Sequence, residues 1–256
     1  LATAIAQGIS AFLCLLRLTK LKELFELKWE YIRLFKSHVK NIIRLGVPSG
    51  VTQAIMSMSM LVVQPLTNSF GEMFIAANVI VMRVDGFAMM PNFSFGTALT
   101  TYAGQNVGAK LYDRVKKGAW QGTLIAVCTS AVITGLILLF GPYLMGIFTN
   151  TQELAQLSAD MMKILAVGYI AMAVTQSLSG IMRGAGDTVT PMWISLLTTV
   201  AVRVPLAYGL VYLTRTAQLP QGRYESLWIS LLTSWVLGAL ITFVFYKAGR
   251  WKKKAL

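Results

Sequence analysis

The sequence predicts an all-α, polytopic membrane protein. Only 13% of its residues are charged, and the mean hydropathy is +0.62. Three long segments contain no charged residue: 45–71, 118–152 and 226–246. A soluble domain needs a charged outer face, whereas lipid is the natural solvent for such segments. A chain of this composition is expected to cross a bilayer several times.

Six segments are long enough to form complete spans, because a helix needs about 20 apolar residues to cross the hydrocarbon. They lie at 46–70, 74–99, 118–140, 158–182, 190–213 and 226–247. Segment 1–16 is also apolar, but no initiator Met or basic region precedes it, so it is not a signal peptide. We expect it to be the end of a span that begins upstream, in a truncated chain.

The net charge of +13 is distributed unevenly, with eighteen of the 23 basic residues on alternate loops. By the positive-inside rule these loops and the C-terminus are cytoplasmic, in contact with anionic lipid head groups, and a nucleic-acid partner is not expected. Segment 17–45 is predicted to be a basic linker, 46–247 a six-helix lobe and 248–256 a basic tail. The linker's apolar residues recur at helical spacing, which favours an amphipathic helix on the membrane surface; a solvated helix is the alternative.

Enzymatic chemistry finds little support in the sequence. Cys14 and Cys128 lie in apolar segments without metal-ligand spacing, and His38 lies in the basic linker. A phosphate-binding G-x-x-x-x-G-K loop is absent from the sequence, which argues against an ATP-driven motor. We therefore expect no catalytic residue, no bound metal and no cofactor.

Polar residues share one face on each of three predicted spans, and such residues are costly in lipid. The faces are formed by Gln53, Ser57, Met60, Gln64 and Asn68; by Asn78, Asp85, Met89 and Asn92; and by Met172, Gln176, Ser179 and Arg183. Together they predict a shared wet cavity, although hydrogen bonding between helices is the alternative. The candidate substrate-binding residues are Gln53, Met60, Gln64, Asn68, Asn78, Met89, Asn92 and Gln176.

Asp85 is the candidate ion-coupling residue, since it lies near mid-bilayer in its predicted span. A carboxylate at this depth can carry a proton or a cation. Arg83 lies about 200° away around the helix and cannot share its face. A structural ion pair with Arg203, or with another neighbouring span, is an equal alternative.

Glycine and proline mark the ends of several predicted spans. Gly46 and Pro48 are expected to open the first complete span. The run 183–192, RGAGDTVTPM, joins the fourth and fifth, and we call it the 183–192 corner. Its glycines permit a tight reversal, Asp187 or Thr190 can cap the next helix, and Pro191 suits its first turn.

This corner resembles the R-G-x-G-D-T-x-T-P-x motif of the MATE (multidrug and toxic compound extrusion) transporters. Its matching residues include Arg183, Gly184, Gly186, Asp187, Thr188 and Pro191. The runs LGVPSG at 45–50 and GQNVGA at 104–109 resemble the family too. The resemblance implies a twelve-span, two-lobe protein of the bacterial inner membrane, of which this chain is the end of the sixth span, the interlobe linker and the C-terminal lobe. The N-terminal lobe is the implied partner.

The resemblance also implies a function, namely export of cationic dyes and amphipathic drugs by alternating access, driven by H⁺ or Na⁺. NorM-like members carry cation-binding acids where this sequence has Met56 and Met172. This departure favours the DinF/MepA-like branch. The resemblance to that branch implies that the coupling carboxylate lies in the N-terminal lobe and that Asp85 is a supporting polar site. A lipid-linked oligosaccharide flippase of the same superfamily and a non-transporting scaffold are the alternatives, and the first needs a strongly cationic cavity.

Overall fold

The computed structural model describes residues 2–20 and 33–253. Within them the secondary structure is helical. The helices are α1 (Ala2–Lys20), α2 (Lys36–Asn68), α3 (Glu72–Gly108), α4 (Tyr112–Gly146), α5 (Gln152–Gly184), α6 (Val189–Ser195), α7 (Arg203–Leu213) and α8 (Glu225–Lys247). A π-helical segment (Leu196–Val202) joins α6 to α7, and a 3₁₀ turn (Arg250–Lys253) follows α8.

Seven helical segments in the described residues are long and apolar enough to cross a membrane, if α6, the π-helical segment and α7 count as one. The all-helical membrane fold class is thereby confirmed. Most spans extend beyond their predicted ends, because the helical backbone continues into the polar residues that flank each apolar segment. The chain divides into two compact units, Leu1–Arg44 and Leu45–Leu256.

The first unit contains α1, whose side chains are exposed along its whole length. Residues 21–32 of the predicted linker lie outside the described residues, so the amphipathic helix over them stays a prediction. Near the end of this unit, the rings of Phe35 and His38 meet edge to face with centroids 6.0 Å apart.

The expectation that Gly46 and Pro48 open the first complete span is wrong, since α2 already begins at Lys36 and runs through both residues. Proline is tolerated inside a membrane helix where side chains satisfy neighbouring backbone groups. Pro48 leaves the Arg44 carbonyl without its helical donor. Next to it, Thr52 Oγ1 donates to the Pro48 carbonyl at 2.9 Å, and Ser49 Oγ donates to the Leu45 carbonyl at 3.0 Å.

In the second unit α5 lies at the centre and is the most buried of the spanning helices described. Its crossing with α3 is close because glycines face each other. A Cβ atom on Gly180 would collide with the Gly96 carbonyl oxygen, and one on Gly184 with the Thr100 carbonyl oxygen. Small residues thus allow the two backbones to touch, as is common between membrane helices.

The 183–192 corner ends α5 with a Schellman motif, a pair of backbone hydrogen bonds that closes a helix C-terminus. Gly186 has φ +89°, its N–H donates to the Arg183 carbonyl at 3.0 Å, and the Asp187 N–H donates to the Met182 carbonyl at 2.9 Å. Asp187 then caps α6 by accepting the Thr190 N–H at 3.2 Å. The sequence-based interpretation of this corner agrees with the structure in the glycine reversal, the Asp187 cap and Pro191 in the first turn.

The span 189–213 is interrupted by the π-helical segment just before Pro205, which has no N–H to donate. Two carbonyl groups of this segment accept side-chain hydrogen bonds from other helices. Ser234 Oγ donates to the Thr198 carbonyl at 2.8 Å, and Ser59 Oγ donates to the Thr199 carbonyl at 3.2 Å. The segment is therefore held between α2 and α8.

The residues after α8 pack against it in part. Trp251 is buried, its ring stacks on Tyr246 with centroids 5.7 Å apart, and its Nε1–H donates to the Tyr246 carbonyl at 3.2 Å. The predicted basic tail 248–256 thus contains an aromatic anchor, whereas residues 254–256 lie outside the described ones.

We expect Gly180→Ala to destabilise the protein by about 1–3 kcal/mol, because the methyl group has no space beside the Gly96 carbonyl. Gly135→Ala in α4 is the matched control, since no atom lies within 4 Å of its Cβ position. Thermal unfolding of the detergent-solubilised protein measures both changes. An equal effect of the two substitutions would show that the α3–α5 contact is looser than described.

Candidate binding cavity

A cavity of about 220 Å³ lies in the second unit between α2, α3, α5, α8 and the 189–202 segment. Its wall is partly apolar, with Met56, Phe93, Met172, Ile194 and Trp235 among its side chains. The rest of the wall is polar. Those residues are Ser49, Thr52, Gln53, Thr97, Thr175, Gln176, Ser179, Arg183, Thr188, Ser195, Thr198, Thr199 and Ser234.

Several polar groups on this wall are already used by the helices. The hydroxyl groups of Thr175 and Thr198 donate to carbonyl groups one turn earlier, and Ser234 donates to the Thr198 carbonyl. These hydroxyls satisfy backbone groups, and they leave the cavity surface polar without offering a strong donor to a ligand.

Other polar groups on the wall have no partner among the described residues. The buried hydroxyl oxygens of Thr188 and Ser195 make no hydrogen bond. The buried Gln176 amide and the half-buried Arg183 guanidinium likewise line the cavity without a side-chain hydrogen bond or an ion pair in the described chain. Gln53 also lines the cavity, but its side chain is exposed. Polar groups inside proteins normally have partners, so this cluster is the part of the lobe best suited to a ligand.

The structure brings only some of the predicted substrate residues together. Gln53 and Gln176 line the cavity, and so do Ser179 and Arg183 from the same polar face of α5. Met60, Gln64 and Asn68 lie on an exposed surface of α2, where Gln64 Nε2 donates to Asn68 Oδ1 at 2.9 Å. Asn78 is half-buried on α3 away from the cavity wall.

Met89 and Asn92, the remaining candidates, lie in the packing between helices. Asn92 is 1% exposed; its Nδ2–H donates to the Tyr169 carbonyl at 3.3 Å, and its Oδ1 accepts from Ser130 Oγ at 2.8 Å. One amide thus links α3, α4 and α5. The sequence predicted that three polar faces line one cavity. In the structure, Asn92 of the α3 face instead forms hydrogen bonds to neighbouring helices.

Asp85 lies in a second polar cluster, away from the cavity. Its Oδ1 accepts a hydrogen bond from Tyr169 Oη at 2.8 Å, and the Arg203 guanidinium lies near enough for an electrostatic interaction. Arg203 Nη1 also donates to Ser59 Oγ at 3.4 Å. The cluster joins α2, α3, α5 and α7. Arg203 is therefore the cation that faces Asp85, as one sequence-based alternative proposed, although these two side chains do not form an ion pair within 4 Å.

Sequence reasoning missed several wall residues, mainly Thr188, Ser195 and Trp235. It assigned Thr188 to the corner alone and considered neither Ser195 nor Trp235. Helical spacing could have indicated Ser195, because Thr188, Ser195 and Thr199 follow one another at steps of seven and four residues, which places them on one helical face. Trp235 gives no such signal, because an indole in a membrane span is usually packing.

We expect Asn92→Ala to lower stability by about 0.5–2 kcal/mol, because it leaves the Ser130 hydroxyl and the Tyr169 carbonyl without their partner. Gln64→Ala, on the exposed surface of α2, should change stability little. Thermal unfolding in detergent compares the two. A larger loss for Gln64→Ala would contradict the structural role of Asn92.

Comparison with known proteins gives the family of this fold. The family model described as MatE matches residues 48–209. The chain is 26% identical over 226 residues to the probable multidrug resistance protein YoeA of Bacillus subtilis, covering 88% of this chain and 47% of that protein. It is 24% identical over 235 residues to the probable multidrug resistance protein NorM of Thermotoga maritima, covering 92% and 49%.

A solved structure of the outward-facing conformation of a multidrug resistance MATE family transporter of the MOP superfamily has the same fold. The TM-score is 0.78 at 19% identity, over 89% of this chain and 50% of that chain. The chain therefore spans about half the length of the relatives it matches. The family match covers more than half of the chain and includes α3, α4, α5 and the 183–192 corner. The chain is a multi-pass membrane protein that belongs to the MatE family.

Proposed function

We propose that this chain is the end of a sixth span, the interlobe linker and the C-terminal lobe of a twelve-span multidrug efflux transporter in a bacterial inner membrane. The observation that carries the proposal is the cavity, on whose wall the Gln176 amide and the Thr188 and Ser195 hydroxyls lack partners among the described residues. The printed names of the curated relatives, multidrug resistance proteins, support the same activity. Small cationic or amphipathic compounds are the proposed substrates, and an N-terminal lobe and the lipid bilayer are the proposed partners.

The proposed mechanism is alternating access, in which a drug and a coupling cation occupy the transporter in turn. No catalytic residue, metal or organic cofactor is required, because the transmembrane gradient of H⁺ or Na⁺ supplies the free energy. A ligand shifts a two-state equilibrium only through unequal affinity for the two states. The cavity between the 189–202 segment, α2 and α5 is a place where such unequal contacts can form.

Asp85 is the proposed ion-coupling residue of this lobe, in support of a coupling carboxylate in the N-terminal lobe. It lies within a membrane helix and is half-buried, and its neighbours are a phenol and a guanidinium rather than water alone. Intramembrane carboxylates with such partners are functional sites by default. The cavity itself has Met56 and Met172 on its wall and no acid among its described wall residues. This arrangement supports the DinF/MepA-like assignment, in which the C-terminal cavity does not bind the cation.

Two rival functions receive less support. A flippase for lipid-linked oligosaccharides needs a strongly cationic cavity, and Arg183 is the single charged residue on the described cavity wall. A non-transporting scaffold gives no reason for a cluster of unsatisfied polar groups inside a membrane domain, which costs stability.

We expect the full-length protein to lower ethidium accumulation in a pump-deficient bacterium and to raise resistance to cationic dyes. Dissipation of the proton gradient and removal of external Na⁺, applied separately, identify the coupling ion. Good expression without any dye efflux would contradict the transport function.

Asp85→Asn should reduce the efflux rate at least about tenfold, equal to about 1.4 kcal/mol in the barrier, while the protein folds normally. The asparagine oxygen still accepts the Tyr169 hydrogen bond, so the substitution removes mainly the charge. Glu72→Gln, an exposed carboxylate at the start of α3, is the matched control. Equal losses of efflux and thermal stability in Asp85→Asn would show that Asp85 is structural.

A further inference from the structure

The cavity has an electrostatic property that the proposed cationic substrates do not explain. Its described wall has one formal charge, that of Arg183, and it is positive. Asp85 and Asp187 do not lie on this wall. An ammonium group would be repelled here, whereas an oxyanion would find a counter-charge.

Arg183 is placed by the fold to face the cavity rather than to hold the corner. Its backbone carbonyl accepts the Gly186 N–H in the Schellman motif, and this contact does not involve the side chain. The guanidinium is half-buried at the end of α5 and has no carboxylate within ion-pair distance in the described chain. A guanidinium offers five N–H donors and no acceptor, and leaving it desolvated without an acceptor is costly.

The neighbouring unsatisfied groups are donors of the kind that bind an oxyanion. The hydroxyls of Thr188 and Ser195 are buried without partners, and the Gln176 amide faces the same cavity from α5. Charge-assisted hydrogen bonds to a carboxylate are about twice as strong as neutral ones, and arginine binds carboxylates in a bidentate geometry.

The size and the apolar part of the wall restrict the ligand further. A cavity of roughly 150 Å³ accommodates a benzene ring, so about 220 Å³ holds one ring with a small polar group. Met56, Met172 and Trp235 supply apolar and aromatic contacts for such a ring. A phospholipid with two acyl chains exceeds this volume.

From these observations we infer that this cavity binds the carboxylate end of an amphipathic, anionic or zwitterionic aromatic compound, with Arg183 as the anchoring residue. The inference rests on the proposed transport function for its biological meaning but concerns binding alone. Tyr169, which contacts Asp85, lies roughly 21 Å of helix rise from Arg183 along α5. The lobe thus keeps its carboxylate and its unpaired guanidinium at different depths, so a purely cationic compound should not depend on Arg183.

The test compares 4-ethylbenzoic acid, one ring with a small anionic group, with its methyl ester, which keeps the ring and removes the negative charge. Binding of each to the purified full-length protein in detergent is measured by calorimetry. The wild-type protein should bind the acid at least about tenfold more tightly than the ester, and Arg183→Gln should abolish that difference. Arg183→Lys should keep part of this difference in affinity, because lysine has the positive charge of arginine but not its planar, bidentate guanidinium.

Controls separate a binding role from a folding role. Arg215→Gln removes an exposed arginine outside the cavity and should leave both affinities unchanged. Ser195→Ala should weaken binding of the acid more than binding of the ester, and it does not change the net charge of the protein. Thermal unfolding shows that each variant is folded, and ester affinity reports on the integrity of the apolar wall.

Equal wild-type affinity for acid and ester would overturn the inference, as would binding of neither compound or an equal loss of both in Arg183→Gln. If phosphatidylglycerol bound in an Arg183-dependent way and the acid did not bind, the site would be one for a lipid phosphate. That result would also overturn the inference. Ethidium efflux by the wild-type protein is recorded in parallel. If efflux fails while the acid binds selectively, the transport function is wrong and the carboxylate site stands.

Discussion

The hydrocarbon core of a bilayer offers no hydrogen-bonding partner, and this constraint governs the polar residues of the chain. Where two helices meet, they satisfy one another, as the Asn92 amide does with Ser130 and the Tyr169 carbonyl. Where the 189–202 segment separates from α2 and α5, the same kinds of group remain unsatisfied. The same residue types therefore serve packing where helices touch and line a cavity where helices are separated.

Helix separation in turn follows from side-chain size. The glycines of α3 and α5 bring these two backbones into contact, so the face of α3 towards α5 is buried in helix packing. The α2 helix contacts the rest of the lobe through side chains, as where Tyr208 Oη of α7 donates to the Val62 carbonyl at 2.8 Å. Residues of α2 and α5 line the cavity together.

The sequence predicts the fold well because the requirement of a charge-free segment of about 20 residues is local and strict. The same reasoning fails at Pro48, because a proline can lie inside a membrane helix without ending it, and α2 continues through this residue. Helical period identified Gln176 and Asn92 equally, yet one faces a cavity and the other a neighbouring helix. A single sequence does not contain the distance to the next helix, which decides between them.

The π-helical segment physically connects the two polar clusters. Ser195, just before it, and Thr198 and Thr199, within it, line the cavity; Arg203, the residue after its end, faces Asp85. A coupling mechanism needs one element whose position both sites influence, not merely two sites in one protein. A π-helical turn inside an α-helix is rare and is frequently found at functional sites, so this segment is the place in the span where a rearrangement is expected. In the proposed transport cycle, a change of charge at Asp85 would act on Arg203 and, through this segment, on the cavity wall.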